Sequence, residues 1–176
     1  MILGLSTSTF TLVHVILSLV GILSGLLVLI GMLGARRRPG WTALFLVTTI
    51  LTSVSGFFFP SASFGPPHVV GIISLLVLAV ALLARYVNRL VGASRWIYVT
   101  AAMLAFYLNV FVGVVQAFQK LALLQALAPT QSEPPYLYTQ LVVLAIFVVL
   151  GIVALIRFRP EPPQPASAVD IRRGGV

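Results

Sequence analysis

Long apolar runs alternate with clusters of arginine along this chain, and the alternation is one-sided. Arg36, Arg37 and Arg38 follow the first run, Arg85, Arg89 and Arg95 lie between the third and fourth, and Arg157, Arg159, Arg172 and Arg173 follow the fifth. The gaps between runs two and three and between runs four and five hold only Lys120 and Glu133 as charged residues. Cytoplasmic loops of helical membrane proteins carry an excess of Lys and Arg, so this pattern predicts orientation as well as span number.

A helix that crosses a hydrocarbon core of about 30 Å needs about 20 mostly apolar residues. Five stretches meet that need, roughly 9–34, 42–59, 67–88, 97–119 and 137–157. The expected fold is an all-α integral membrane bundle of five transmembrane helices in one domain, residues 1–159, with the N-terminus out and the C-terminus in. The second stretch is the shortest and is accommodated by less tilt or by local thinning of the bilayer. Trp41 and Trp96 stand beside arginine loops, and Tyr136 and Tyr138 open the last run, where interfacial aromatic anchors are expected. The uncharged turn from Pro60 to Pro67 suits the first turn of the following helix. The longer connection from Leu121 to Pro135 is expected to hold a short surface helix and then an extended cap. Residues 160–176, with their proline-rich start, are expected to be a disordered cytoplasmic tail.

Composition supports this class. Hydrophobic residues make up 60% of the chain and charged residues 8%, with a mean hydropathy of +1.11. A soluble domain carries about 25% charged residues, so this chain could not cover a surface facing water. The net charge of +8 does not indicate nucleic acid, because the arginines flank apolar runs instead of gathering with aromatics on one accessible face. They anchor the spans and reach anionic lipid headgroups at about 1 kcal/mol each. There is no cysteine, which excludes disulfides, thiolate metal sites and cysteine catalysis. No basic residue precedes the first run, which ends on three arginines, a stop-transfer pattern and not that of a cleaved signal. Phosphate-binding glycine loops, Gly-x-Ser-x-Gly elbows and His-Glu-x-x-His helices are all missing from the sequence. No ionisable Asp, Glu, Lys or Arg falls in the middle of a run, which argues against proton-driven transport.

The polar residues inside the runs have helical spacing. His14, Ser18, Gly21 and Gly25 share one face of the first helix, and His68, Gly71 and Ser74 share one of the third. Asn109, Gly113, Gln116 and Lys120 line up on the fourth. Small residues let helices approach and hydroxyl or amide groups bond across the contact, so the plain reading of these faces is a packed bundle interior. A second reading rests on His14-Val15 and His68-Val69, 54 residues apart, and on Trp41 and Trp96, 55 apart. These spacings describe a helical hairpin repeated in the same orientation, which would set both histidines at one depth.

His14, His68, Gln116 and Asn109 are thus the candidate cofactor-binding residues, with Glu133 as a contributor from the outer loop. Two histidines on parallel helices would ligate a b-type haem, or contact a quinone headgroup through hydrogen bonds with Gln116 and Asn109 in support. Two histidines alone make an incomplete zinc site, so no metal is expected. A carboxylate at Glu133 close to either imidazole would raise the histidine pKa.

The segment from Ala128 to Tyr136 (Ala-Pro-Thr-Gln-Ser-Glu-Pro-Pro-Tyr), Tyr107-Leu-Asn109 and the two His-Val spans resemble small uncharacterised bacterial inner-membrane proteins. The resemblance covers most of the chain except the tail. It implies residence in the bacterial inner membrane and brings no activity with it. The expected role is non-enzymatic: an accessory or scaffold subunit, or a protein that interacts with lipid or a small molecule. The competing expectations are an electron-transfer protein holding haem or quinone and a channel or facilitator for an uncharged solute. The expected partners are the lipid bilayer, other membrane proteins and further copies of the chain.

Overall fold

The computed structural model describes residues 1–60 and 63–159, so the expected disordered tail lies outside the described residues. The described chain is all-helical. Helices α1 (Thr7–Leu33), α2 (Pro39–Gly56), α3 (Pro66–Leu82), α4 (Ser94–Lys120), α5 (Ala122–Leu127) and α6 (Pro134–Arg157) follow in order, and α3 runs on into a π-turn, Leu83–Val87. The five long helices coincide with the five apolar runs, and α5 is the short surface helix expected between Leu121 and Pro135.

Local chemistry sets the ends. The Ser6 hydroxyl accepts the Thr9 N–H at 3.1 Å and caps α1. Prolines occupy the first turns of α2, α3 and α6, where the missing N–H has no helical partner to lose. At the other end of α1, Ala35 takes a left-handed conformation (φ 54°) and the Arg36 N–H returns to the Gly31 carbonyl at 2.8 Å.

Among the described residues, four helices are long and apolar enough to cross a membrane: α1, α3 with its π-turn, α4 and α6. Helix α2, the shortest of the expected spans, is not among them. Its sequence explains this, because it carries a threonine and serine face that is turned inward. Thr42, Thr48 and Thr49 are buried, and the Thr42 and Thr48 hydroxyls donate to carbonyls one turn back, at 2.9 Å from Arg38 O and 2.7 Å from Leu44 O. A helix that hides hydroxyls in this way scores as less apolar than the surface it shows outside.

Helix α4 is the centre of the bundle. It packs on α1, α3 and α6 and buries Tyr98, Val99, Ala101, Ala102, Met103, Ala105, Phe106 and Asn109. The three alanines bring neighbouring backbones close. Helices α1 and α2 form the most extensive helix pair. Helix α6 sits at the edge, burying only Gln140 and Ala154, and exposes Leu141, Val148, Ile152 and Ile156.

Contacts fix the relative sense of the helices. Arg95, at the start of α4, bonds to Phe158 O at the end of α6, while Gln131 before α6 bonds to Val115 O near the end of α4. Ser18 and Gly25 of α1 meet Asn109 and Phe106 of α4 in antiparallel order. The eight described arginines therefore gather at one end of the bundle, and Lys120, Glu133, His14 and His68 at the other.

Candidate functional site

The interior faces of α1, α2 and α4 form one polar seam. Its top is His14, whose Nδ1 lies 2.7 Å from Ser55 Oγ and whose ring meets Phe59 edge-on at 5.1 Å. Ser55 Oγ also lies 3.1 Å from Thr52 O. The imidazole and the hydroxyl share this hydrogen bond, with the imidazole N–H as donor in one tautomer of His14 and the hydroxyl in the other.

One turn deeper, the Ser18 hydroxyl donates to Asn109 Oδ1 at 3.3 Å. Gly21 follows about 10 Å below His14 along the helix. A Cβ there would stand 2.8 Å from Asn109 Nδ2, 3.2 Å from Thr49 Oγ1 and 3.4 Å from Thr48 Oγ1. Only hydrogen at this position admits three polar side chains from two other helices. Asn109 Nδ2, Thr49 Oγ1 and Thr52 Oγ1 are buried and make no hydrogen bond among the described residues. The seam ends on an aromatic floor. Phe106 packs edge-on to Phe45 at 6.0 Å and to Phe147 at 5.0 Å, directly over Gly25.

His68 does different work. Its Nδ1 accepts the Gly65 N–H at 3.2 Å, closing the first turn of α3, and its ring stacks on Phe64 at 5.1 Å and leans on Phe57 at 5.8 Å. An accepting Nδ1 puts the proton of the neutral ring on Nε2. A bis-histidine haem needs a lone pair on each ligating nitrogen, and His68, with Nδ1 engaged by the Gly65 N–H, offers none in this arrangement. The two histidines are also not equivalent, since His14 ties α1 to α2 while His68 caps its own helix.

Of the other candidates, Asn109 is buried in the seam and Gln116 is exposed. Glu133 turns back on its own loop. It accepts from the Thr130 hydroxyl at 2.9 Å and from the Thr130 and Ser132 backbone N–H groups at 3.1–3.3 Å. Desolvation is the largest single influence and pushes its pKa up, but these hydrogen bonds together outweigh it and hold the carboxyl below its ordinary range. The loop in turn docks through Gln131, which donates to Val115 O at 2.9 Å. Among the described residues no group of three or more His, Cys, Asp or Glu is placed to hold a metal.

In sequence, Thr48, Thr52 and Ser55 share one face of α2, with Thr49, Ser53 and Gly56 beside them. Which of these meet Gly21 and Asn109 is decided by how the three helices converge, which spacing within one helix does not record. No family model, curated protein or solved structure matches this chain.

Proposed function

We propose that this chain is a five-span membrane protein, N-terminus out and C-terminus in, that acts by binding and not by catalysis. The ligand is a small neutral molecule presenting an oxygen acceptor, such as a quinone carbonyl, to the seam between α1, α2 and α4. One observation carries this reading: the Asn109 amide N–H and the Thr49 hydroxyl, both against Gly21, and the Thr52 hydroxyl further along α2 are buried with no hydrogen-bond partner among the described residues. Leaving a buried donor unmet costs about 1–3 kcal/mol, so a guest that accepts from it gains that much on entry. The absence of a charged group in the seam fits a neutral ligand. Its aromatic floor fits a site closed toward the arginine end and disfavours a pore running through.

Helix α2 is taken as the fifth span because it is 18 residues long, about 27 Å, and packs against α1 and α3 with Thr42, Thr48 and Thr49 turned inward. The gathering of arginines at one end supports a cytoplasmic location for that end, and the bacterial inner membrane is the setting the sequence resemblance implies.

Two experiments test the proposal. Because the chain lacks cysteine, single cysteines at Gly40 and Ser63 are unique handles. Labelling with a membrane-impermeant thiol reagent is expected to find them in opposite compartments, and finding both in one compartment overturns the five-span threading. For the ligand, a short-chain benzoquinone is titrated into detergent-purified protein and read by tryptophan quenching. Asn109→Leu is expected to weaken saturable quenching about tenfold while the protein stays folded. If the wild type shows no saturable quenching and Asn109→Leu combined with Thr49→Val melts at the same or a higher temperature, the seam is helix packing only.

A further inference from the structure

The arginine end carries a second feature, a groove on the outer side of the α1–α2 pair. Its upper part, about 390 Å³, is apolar and walled by Val20, Leu23, Leu27, Trp41 and Leu44. It shares Trp41 and Leu44 with a neighbouring cleft of about 550 Å³, lined also by Arg38, Pro39 and Gly40. From Val20 to Leu27 the apolar part extends about 10 Å along α1.

The polar mouth is built for an anion. The aliphatic stem of Arg38 is laid against Gly31, its Cγ and Cδ 3.1–3.2 Å from where a Cβ would stand, so a side chain there would displace it. No side chain caps the start of α2 and no acid lies in its first turn, so the positive end of that helix faces the same cleft. Arg36 and Arg37 are exposed beside it. The one described acid, Glu133, is at the opposite end of the bundle. Among the described residues, no carboxylate lies near these three consecutive guanidinium groups. Trp41, half exposed between the two parts, is an interfacial aromatic set at the boundary of an apolar slot and a cationic mouth.

We infer that this groove is a binding site for an anionic phospholipid, with the phosphate at Arg38 and the first turn of α2 and one acyl chain between Val20, Leu23, Leu27 and Leu44. A lipid satisfies both halves of the site at once, which free phosphate and a neutral acyl chain each fail to do. The site is separate from the polar seam, on the other side of α1 and α2.

The test uses full-length protein carrying Trp96→Phe, so that Trp41 is the sole tryptophan. Mixed micelles containing phosphatidylglycerol with brominated acyl chains are expected to quench Trp41 saturably, and brominated phosphatidylcholine at least tenfold more weakly. Arg38→Gln is expected to weaken phosphatidylglycerol binding about tenfold. Arg89→Gln, at the same end but outside the groove, leaves it unchanged. Leu23→Trp is avoided as a second fluorophore, and Leu23→Phe narrows the slot and reduces quenching by the chains. Millimolar inorganic phosphate does not displace the lipid. Equal quenching by both lipids overturns the proposal. So does an equal effect of Arg38→Gln and Arg89→Gln, which would show diffuse attraction to the arginine end, and so does full displacement by inorganic phosphate, which would show a site for the free ion. Asn109→Leu leaves lipid binding intact, so failure of the seam and failure of the groove are read separately.

Discussion

Gly25→Val is expected to destabilise the bundle by about 3 kcal/mol, measured as a fall in unfolding free energy in detergent. A Cβ at Gly25 would stand 2.7–3.1 Å from Cδ2, Cε2 and Cγ of Phe106. Those are ring atoms of a buried side chain, not the free end of a flexible one. Phe106 is itself held edge-on by Phe45 and Phe147, from α2 and α6, so it has no direction in which to give way. Relief therefore requires α1 and α4 to move apart, which loosens the contacts at Gly21 and Ser18 above. Gly151→Val is the matched control. Nothing lies within 4 Å of a Cβ at Gly151, so this change is expected to be neutral or slightly stabilising through helix propensity. Equal melting of the two variants would show that α1 and α4 are not in contact at Gly25.

The glycine spacing at 21 and 25 could be read from sequence as a packing face, and the structure uses it as one. What spacing could not give was the partner. His14, Ser18, Gly21 and Gly25 lie on a single face, yet the first bonds to α2, the second to α4, and the third meets both. That outcome depends on how three helices converge, which no period within one helix records. The helix ends were legible for a different reason, since proline and serine act locally through the backbone. Histidine roles were not legible. A ring near a helix start can cap it, as His68 does, or reach a neighbour, as His14 does, and the choice turns on whether the preceding residues form a turn beneath it. Glu133 illustrates the same limit, because hydrogen bonds to Thr130 and Ser132 within its own loop compete with any reach toward the histidines. The arginines flank the apolar runs in sequence, but the bonds of Arg95 to backbone carbonyls and the placement of Arg85 over the Tyr98 ring, 5.3 Å from its centroid, appear only in three dimensions.

Arg95 is the case with the largest consequence. Arg95→Met is expected to cost about 2–3 kcal/mol and to release the C-terminal turn of α6, seen as faster amide exchange over residues 154–158. The guanidinium donates to Leu155 O at 3.2 Å and to Phe158 O at 2.5 Å. These carbonyls belong to the last turn of α6 and its cap, where no helical N–H follows to satisfy them and where a cation also meets the negative end of the helix. The same guanidinium lies over the Trp96 ring at 4.4 Å. Helix α6 is otherwise weakly held, with Gln140 and Ala154 as its only buried residues, so one arginine supplies a large share of its attachment at this end. Arg95→Lys is expected to recover part of the loss, because both carbonyls bond the one nitrogen Nη1 and an ammonium can also donate to two acceptors, while the planar contact with the Trp96 ring is lost. Arg89→Gln, exposed and outside this contact, serves as the charge control and is expected to leave exchange over 154–158 unchanged. If Arg95→Met and Arg89→Gln exchange alike, the end of α6 is held by apolar packing of Phe158 against Tyr98, and the two hydrogen bonds add nothing beyond what solvent would provide.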